Sequence, residues 1–197
     1  MLYHLLYPLA DEFQAFNLFR YLTFRSGGAV VTSLFISFVA GPRIIAWLKS
    51  KQPGGQPIRA DGPEGHLVRK KGTPTMGGFL ILAAAIGSTL LWTDLTNGYV
   101  WVVLFVTLGF GAVGFFDDYK KLTKRSHSGL SGRKRLVAEF AIGIVATAFI
   151  VWIAREPLET AFAVPFFKNV LFELGPFFLL VGAFVIVGAS NAVNLTD

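Results

Sequence analysis

The sequence predicts an all-α, polytopic membrane protein with about five transmembrane helices in one integral-membrane domain, residues 1–197. Three observations support this prediction. Hydrophobic residues make up 53% of the chain and charged residues only 15%, whereas about a quarter of a soluble domain is charged. Several apolar runs are long enough to cross the hydrocarbon core of a bilayer as helices. Most basic residues lie in two of the connections between these runs.

The predicted spans follow one another along the chain. They are 22–48, which we expect to be broken at Gly41-Pro42, then 76–93, 98–116, 136–154, which contains Glu139, and 170–190. Before them, residues 1–20 lack a basic residue until Arg20 and contain two adjacent acids, so they do not resemble a signal peptide. We expect residues 4–19 to form a short helix at the outer interface.

The distribution of basic residues predicts how the helices are oriented. Segments 43–71 and 120–135 contain most of the 18 Lys and Arg residues. Because cytoplasmic loops are enriched in Lys and Arg, both segments should face the cytoplasm, with the N-terminus outside. This placement follows membrane topology, so it does not indicate a nucleic-acid partner. The absence of cysteine excludes disulfides, thiol catalysis and metal sites built on thiolates.

A first polar cluster, "RKKGTPTMGG", lies at residues 69–78. Thr73 suits an N-cap and Pro74 suits the first helical position, so we expect the second span to begin there. A helix N-terminus favours anions, and Lys70 lies just before it, so the stretch suits a phosphate. The alternative is a capped transmembrane helix with lysines that only obey the positive-inside bias.

A second cluster, "GFFDDYKK", places Asp117 and Asp118 at the cytoplasmic end of the third span. Hard cations prefer carboxylate oxygens, and Mg²⁺ usually binds one or two carboxylates together with substrate phosphates. The pair is therefore a candidate Mg²⁺ site. The alternative is that the two acids cap the start of a cytoplasmic helix and that Lys120 and Lys121 neutralise them locally.

A third cluster, "NAVNLTD", follows the fifth span. If the helix continues, the spacing of Asn191, Asn194 and Asp197 places them along one face. They could bind a metal, a sugar or a nucleobase, or form a fraying helix end in water. His66 and His127 lie in basic loops without a second ligand nearby, so we expect both to be solvated. The predicted topology puts all three clusters on one membrane face, which favours a shared functional site.

Five stretches together resemble one enzyme family: "DGPEGH" at 61–66, "KKGTPTMGG" at 70–78, "GFFDDYKK" at 114–121, "VPFFK" at 164–168 and "NAVNLTD" at 191–197. They resemble the phospho-N-acetylmuramoyl-pentapeptide-transferases, members of the polyprenyl-phosphate sugar-1-phosphate transferase superfamily. The resemblance implies transfer of phospho-MurNAc-pentapeptide from UDP-MurNAc-pentapeptide to undecaprenyl phosphate, which yields lipid I and UMP. It implies a Mg²⁺-dependent reaction in peptidoglycan biosynthesis, at the cytoplasmic face of the bacterial inner membrane.

The resemblance also implies roles for individual residues. Asp117 and Asp118 would be catalytic carboxylates that help to hold Mg²⁺, and one of them would deprotonate or position the lipid phosphate. Lys70 would contact the nucleotide-diphosphate part of the soluble substrate, with Thr75 beside it. The same cleft would be lined by Asn191, Asn194 and Asp197. The family further suggests a homodimer.

The chain departs from the family in length. Members are nearly twice as long and resemble ten-crossing proteins, so we expect residues 1–197 to be an N-terminal half, truncated at its C-terminal end and inactive alone. One alternative is a sister enzyme that uses UDP-GlcNAc or another UDP-N-acetylhexosamine. A transporter or a non-enzymatic scaffold is also possible, although a transporter would normally have polar groups near the centre of its spans.

Overall fold

The computed structural model describes residues 1–52, 74–124, 129–154, 160–164, 166 and 171–196, with the side chains of 194–196 left out. Most of these residues are helical. The α-helices are α1 Leu2–Leu6, α2 Leu22–Lys51, α3 Gly78–Trp92, α4 Gly98–Lys124, α5 Gly132–Ile153 and α6 Phe178–Thr196. Short 3₁₀ turns occupy Tyr7–Asp11, Gln14–Arg20 and Gly175–Phe177, and the strands are β1 Ala161–Ala163 and β2 Leu171–Glu173.

The predicted polytopic, mostly helical fold is confirmed. Within the described residues, four helical segments are long and apolar enough to cross a membrane: α2, α4, α5 and Gly175–Val193, which consists of a 3₁₀ turn and most of α6. The remaining apolar helix, α3, has 15 residues and is shorter than the roughly 20 residues that a spanning helix needs. The chain is therefore a membrane protein with several apolar helices.

The predicted break in the first span is wrong, because α2 continues through Gly41-Pro42 as one helix of 30 residues. Proline lacks an N–H and interrupts one backbone hydrogen bond, yet helices in membranes tolerate it when nearby groups satisfy the exposed carbonyls. The carbonyl that Pro42 leaves without a backbone donor is that of Phe38, four residues earlier, and the Arg43 guanidinium donates to the adjacent carbonyl of Val39 at 3.1 Å. Gly41 is buried, and a Cβ there would lie 3.4 Å from Leu80 of α3.

The predicted start of the second span at Thr73-Pro74 is also wrong. Helix α3 begins at Gly78, with Gly77 as its N-cap, and Pro74 lies before it in a non-helical segment. The reason is Met76, whose φ of 70° places it in the left-handed region. A right-handed helix cannot contain this conformation, so α3 has to begin after it.

Two further boundaries differ from the prediction. Helix α4 continues past residue 116 to Lys124, so Asp117 and Asp118 lie inside its last third. The interpretation that they cap the start of a separate helix is therefore wrong. The last span begins at Gly175, with helix α6 from Phe178, and not near residue 170. Residues 171–173 instead form β2, which pairs antiparallel with β1. This two-stranded pair is a small exception to the all-α prediction.

The chain divides into two compact units, and α4 contributes to both. The first contains Met1–Val100 and Gly114–Leu130, and the second contains Trp101–Val113 and Ser131–Asp197. In the first unit α2 packs against α3. In the second unit α5 packs against α6, where the side chain of Thr147 lies directly on Gly182. Small residues of this kind let two helices approach closely in a membrane.

The contact between α2 and α3 depends on Trp92. Its indole Nε1 donates to the hydroxyl of Thr32 at 2.9 Å, and its ring stacks on Phe19 with centroids 5.6 Å apart. The ring lies so close to Gly28 that a Cβ on this glycine would overlap it. Gly27, one residue earlier, has open space around the position of a Cβ.

This difference predicts opposite effects of the same substitution at two adjacent glycines. Gly28→Ala should lower the free energy of unfolding by about 1–3 kcal/mol, because the indole is held on two sides and overpacking forces it to move. Gly27→Ala should raise this free energy by roughly 0.5–1 kcal/mol, because alanine favours the helix over glycine. Thermal unfolding in detergent measures both, and equal effects at the two positions would contradict the packing described.

Candidate active site

Two adjacent carboxylates and one lysine form the centre of the site in the first unit. The Lys121 ammonium lies 2.5 Å from Oδ2 of Asp117 and 3.4 Å from Oδ1 of Asp118. Residues three and four apart share a helix face, so one lysine near the end of α4 can reach both acids. The side chains are partly buried, with 19% of Asp117 and 33% of Asp118 exposed. Local neutralisation by Lys121, one of the sequence-based alternatives, is therefore observed.

Thr75 links the first predicted cluster to the second. Its hydroxyl donates to Oδ2 of Asp118 at 2.8 Å. The two residues are 43 positions apart in the chain, so only the fold brings them together. Of the predicted site residues, Thr75, Asp117 and Asp118 thus form one contiguous group.

Gln52 holds Thr75 in place and was not predicted from the sequence. Its side-chain Nε2 donates to the carbonyl of Thr75 at 3.2 Å, and its Oε1 accepts the Thr75 N–H at 2.9 Å. One primary amide therefore satisfies both backbone groups of Thr75, next to the left-handed Met76. No local sequence signal marks Gln52, because a glutamine after a helix is ordinary and its partner is 23 residues away.

The backbone at Gly129-Leu130 folds back onto Asp117. The N–H of Leu130 donates to Oδ1 of Asp117 at 2.6 Å, and Lys120 donates to the carbonyl of Gly129 at 2.7 Å. A Cβ on Gly129 would overlap the Asp117 carboxylate. Position 129 requires glycine because there is no room for a side chain beside Asp117, and not because its backbone has a positive φ. Every oxygen of the aspartate pair therefore accepts from Leu130, Lys121 or Thr75, which fixes the orientation of both carboxylates.

The donor chemistry of this pair fits Mg²⁺. A carboxylate oxygen that accepts one hydrogen bond keeps further lone-pair capacity, and Mg²⁺ commonly uses only one or two carboxylates, with phosphates and water as its other ligands. Lys121 shows that a positive charge is favoured between the two acids. Across the described part of the chain, no group of three or more His, Asp or Glu is placed to hold a metal.

The third predicted cluster lies in the second unit. Helix α6 continues through Asn194, as expected, and the Asn191 amide contacts Glu139 of α5, with Nδ2 2.6 Å from Oε2. The side chain of Asn194 is outside the described residues. So are five other residues named from the sequence: Lys70, Thr73, Asp197, His66 and His127. A single cleft that joins all three clusters stays a prediction.

Comparison with known proteins places this geometry in a family. The family model described as glycosyl transferase family 4 matches residues 100–197, which include both aspartates and Asn191. The phospho-N-acetylmuramoyl-pentapeptide-transferase signature 1 matches residues 70–82, which include Thr75. Two curated proteins, both named phospho-N-acetylmuramoyl-pentapeptide-transferase, match the whole chain. The one from Granulibacter bethesdensis is 61% identical over 197 residues, and the one from Maricaulis maris is 57% identical over 202.

The chain belongs to the phospho-N-acetylmuramoyl-pentapeptide-transferase family. The resemblance found from the sequence motifs is thereby confirmed. The matches cover 100% of this chain but 54% of the Granulibacter bethesdensis transferase and 55% of the Maricaulis maris transferase. The chain thus spans about half the length of the curated relatives it matches. Thr75 lies within the transferase signature. Its hydroxyl is hydrogen-bonded to Asp118 in the structure.

The clamp on Thr75 predicts that Gln52 stabilises the fold. Gln52→Met keeps the length of the side chain but leaves both backbone groups of Thr75 without this partner. We expect the free energy of unfolding to fall by about 1–3 kcal/mol, the usual cost of partly buried polar groups that lose their hydrogen bonds. Gln14→Met at an exposed position is the control, and thermal unfolding is the measurement. Equal stability of the two variants would contradict the clamp.

The close approach of Gly129 to Asp117 predicts a pair-specific clash. Gly129→Ala should cost roughly 1–3 kcal/mol of unfolding free energy, whereas Gly132→Ala, with open space around its Cβ, should not. In an Asp117→Ala background the cost of Gly129→Ala should largely disappear, because the overlapping carboxylate is gone. A double-mutant cycle on unfolding midpoints measures this coupling. Additive effects would show that the two residues do not touch.

Proposed function

We propose that this chain provides the aspartate pair of an enzyme that transfers phospho-MurNAc-pentapeptide from UDP-MurNAc-pentapeptide to undecaprenyl phosphate. The products would be lipid I and UMP. The observation that supports this most directly is the hydrogen bond from Thr75 to Asp118, because it joins the transferase signature to the aspartate pair. The name that the two relatives share, phospho-N-acetylmuramoyl-pentapeptide-transferase, supports the same reaction.

The reaction requires two anionic phosphates to meet. An oxygen of undecaprenyl phosphate attacks the phosphorus attached to the MurNAc sugar, and the phosphoanhydride bond from that phosphorus to UMP breaks. Repulsion between the phosphates opposes this attack, so fixed positive charge and accurate positioning are the main sources of acceleration. Lys121 supplies a cation at the aspartates. We propose that one of the two carboxylates deprotonates or positions the attacking phosphate. Either role requires a carboxylate in a fixed orientation, and both carboxylates are held in this way.

We propose that Asp117 and Asp118 hold Mg²⁺. When bound, the metal would neutralise part of the charge that develops on the phosphates. Because Lys121 already contacts both acids, it is the group best placed to neutralise their negative charge when the metal is absent. Lys70 is proposed to contact the diphosphate of the nucleotide. Asn194 and Asp197 are proposed to face the soluble substrate.

The position of the aspartates along α4 suits the two substrates. One substrate is a lipid and the other is soluble in water, so the reaction has to occur at a membrane surface. The uncharged run of α4 ends at residue 116 and the acids follow immediately. We therefore propose that they lie at the cytoplasmic face of the bacterial inner membrane, with the N-terminus outside, in agreement with the basic segments 43–71 and 120–135.

The proposal predicts Mg²⁺-dependent release of UMP that requires both aspartates. The assay uses a hybrid in which this chain replaces the matching part of the Granulibacter bethesdensis relative, with undecaprenyl phosphate as acceptor. Asp117→Asn and Asp118→Asn should each lower the rate by about 100-fold or more, as expected for loss of a general base or of a positioned carboxylate. Asp94→Asn, in the connection between α3 and α4, is the matched control. Chelation of Mg²⁺ should abolish release.

Two outcomes would contradict the proposal. Release from UDP-GlcNAc but not from UDP-MurNAc-pentapeptide would assign the chain to a sister reaction of the same superfamily. A silent hybrid beside an active Granulibacter bethesdensis relative would remove the enzymatic assignment and favour a scaffold or a transporter. Thermal unfolding of each variant separates loss of activity from loss of fold.

A further inference from the structure

Glu139 is an acid inside an apolar helix, and none of the roles proposed so far uses it. It lies on α5, which is long and apolar enough to span a membrane, and only 3% of the residue is exposed. Burial of an ionised carboxylate is costly unless it is paired and hydrogen-bonded. Ionisable residues within membrane helices therefore usually have a function and a specific partner.

The partners of Glu139 form a closed ring of three side chains, which we call the Glu139 triad: Glu139, Arg135 and Asn191. Oε1 of Glu139 accepts from Nε of Arg135 at 2.8 Å, one helical turn away. Oε2 accepts from Nδ2 of Asn191 on α6 at 2.6 Å. Arg135 also donates to Oδ1 of Asn191 at 3.4 Å. Both oxygens of the buried acid are thus satisfied, and α5 is tied to α6.

The triad restricts what Asn191 can do. A side-chain amide has two N–H donors and one carbonyl acceptor with two lone pairs. Nδ2 of Asn191 donates to Glu139 and, at 3.0 Å, to the backbone carbonyl of Val187. Both donors are therefore used within the protein. What remains for a ligand is the second lone pair of Oδ1, which can accept from an N–H or O–H group but cannot bind a phosphate oxygen.

We infer that Glu139 is a positioning residue: it fixes the Asn191 amide so that only the carbonyl oxygen of this amide is left to bind the substrate. This inference rests on the proposed function. It assigns Asn191 to a hydrogen-bond donor of the sugar nucleotide, a hydroxyl or an N–H, and not to its diphosphate. Arg135 completes the arrangement in two ways. It neutralises the charge of Glu139, and it donates a hydrogen bond to the carbonyl oxygen of Asn191.

The test is an exchange of donor and acceptor between positions 139 and 191. In Glu139→Gln the side chain at 139 has one carbonyl oxygen, and both Arg135 and Asn191 need an acceptor there. The Asn191 amide should therefore lose its fixed orientation. Asn191→Asp keeps the acceptor for substrate but places two carboxylates in contact. In the double variant the new glutamine donates to the new aspartate, so the bond is restored with reversed polarity and the negative charge still faces Arg135.

In the hybrid enzyme, each single variant should raise KM for UDP-MurNAc-pentapeptide by about tenfold, the loss expected for one hydrogen bond between neutral groups. The value of kcat should change much less, because the contact serves binding. The double variant should recover much of the loss in KM and in the unfolding midpoint, but not all of it, because an aspartate at 191 cannot donate to the carbonyl of Val187. Lys134→Gln, which removes an exposed charge at the same end of α5, is the matched control and should leave KM unchanged.

Three results would overturn the inference. If the double variant restores the unfolding midpoint but not KM, the substrate uses the N–H groups of Asn191 and not its carbonyl. If Glu139→Gln leaves KM unaltered, Glu139 does not position Asn191. If the unfolding midpoints of the 197-residue chain show no coupling between the two positions, the triad itself is absent. This last measurement needs no activity, so it stays decisive if the hybrid proves inactive and the proposed function fails.

Discussion

Two like charges held side by side at the end of an apolar helix set the main constraint on the first unit. Asp117 and Asp118 repel each other, and partial burial strengthens that repulsion because water screens them less. The structure meets this constraint with donors from three directions: Lys121 of the same helix, Thr75 before α3, and the backbone N–H of Leu130. The segments around the pair are held in place by these contacts, and Gln52 and Gly129 belong to the same arrangement.

The second unit meets a related constraint with different groups. Glu139 lies within an apolar helix, where an unpaired carboxylate would be strongly destabilising. Arg135 supplies the opposite charge from the next turn, and Asn191 supplies a neutral donor from α6. Close helix packing makes such short side-chain contacts possible, since Gly143 lies against the backbone of Ala183. Small residues and buried polar pairs thus act together in holding α5 to α6.

The arrangement around the aspartate pair suits the proposed reaction between phosphates at a membrane surface. Such a reaction gains little from a flexible site, because the substrates repel each other and positioning accounts for much of the barrier reduction. Carboxylates whose oxygens are already oriented lose little further freedom when a metal or a phosphate arrives. The contact of Lys121 with both acids supplies positive charge before any substrate binds. Membership in the transferase family is consistent with this proposed chemistry.

The sequence by itself determined the helical membrane fold, the aspartate pair and the family, because apolar runs and short motifs are local signals. It failed at Pro42, at Met76 and at residues 171–173, where neighbouring groups or backbone conformation overrode the local preference. Only the tertiary structure decided which partners the polar residues have. Gln52 meets Thr75 across 23 positions, and Glu139 meets Asn191 across 52. Neither pair follows a helical or strand period, so contact between them arises only when separate segments pack.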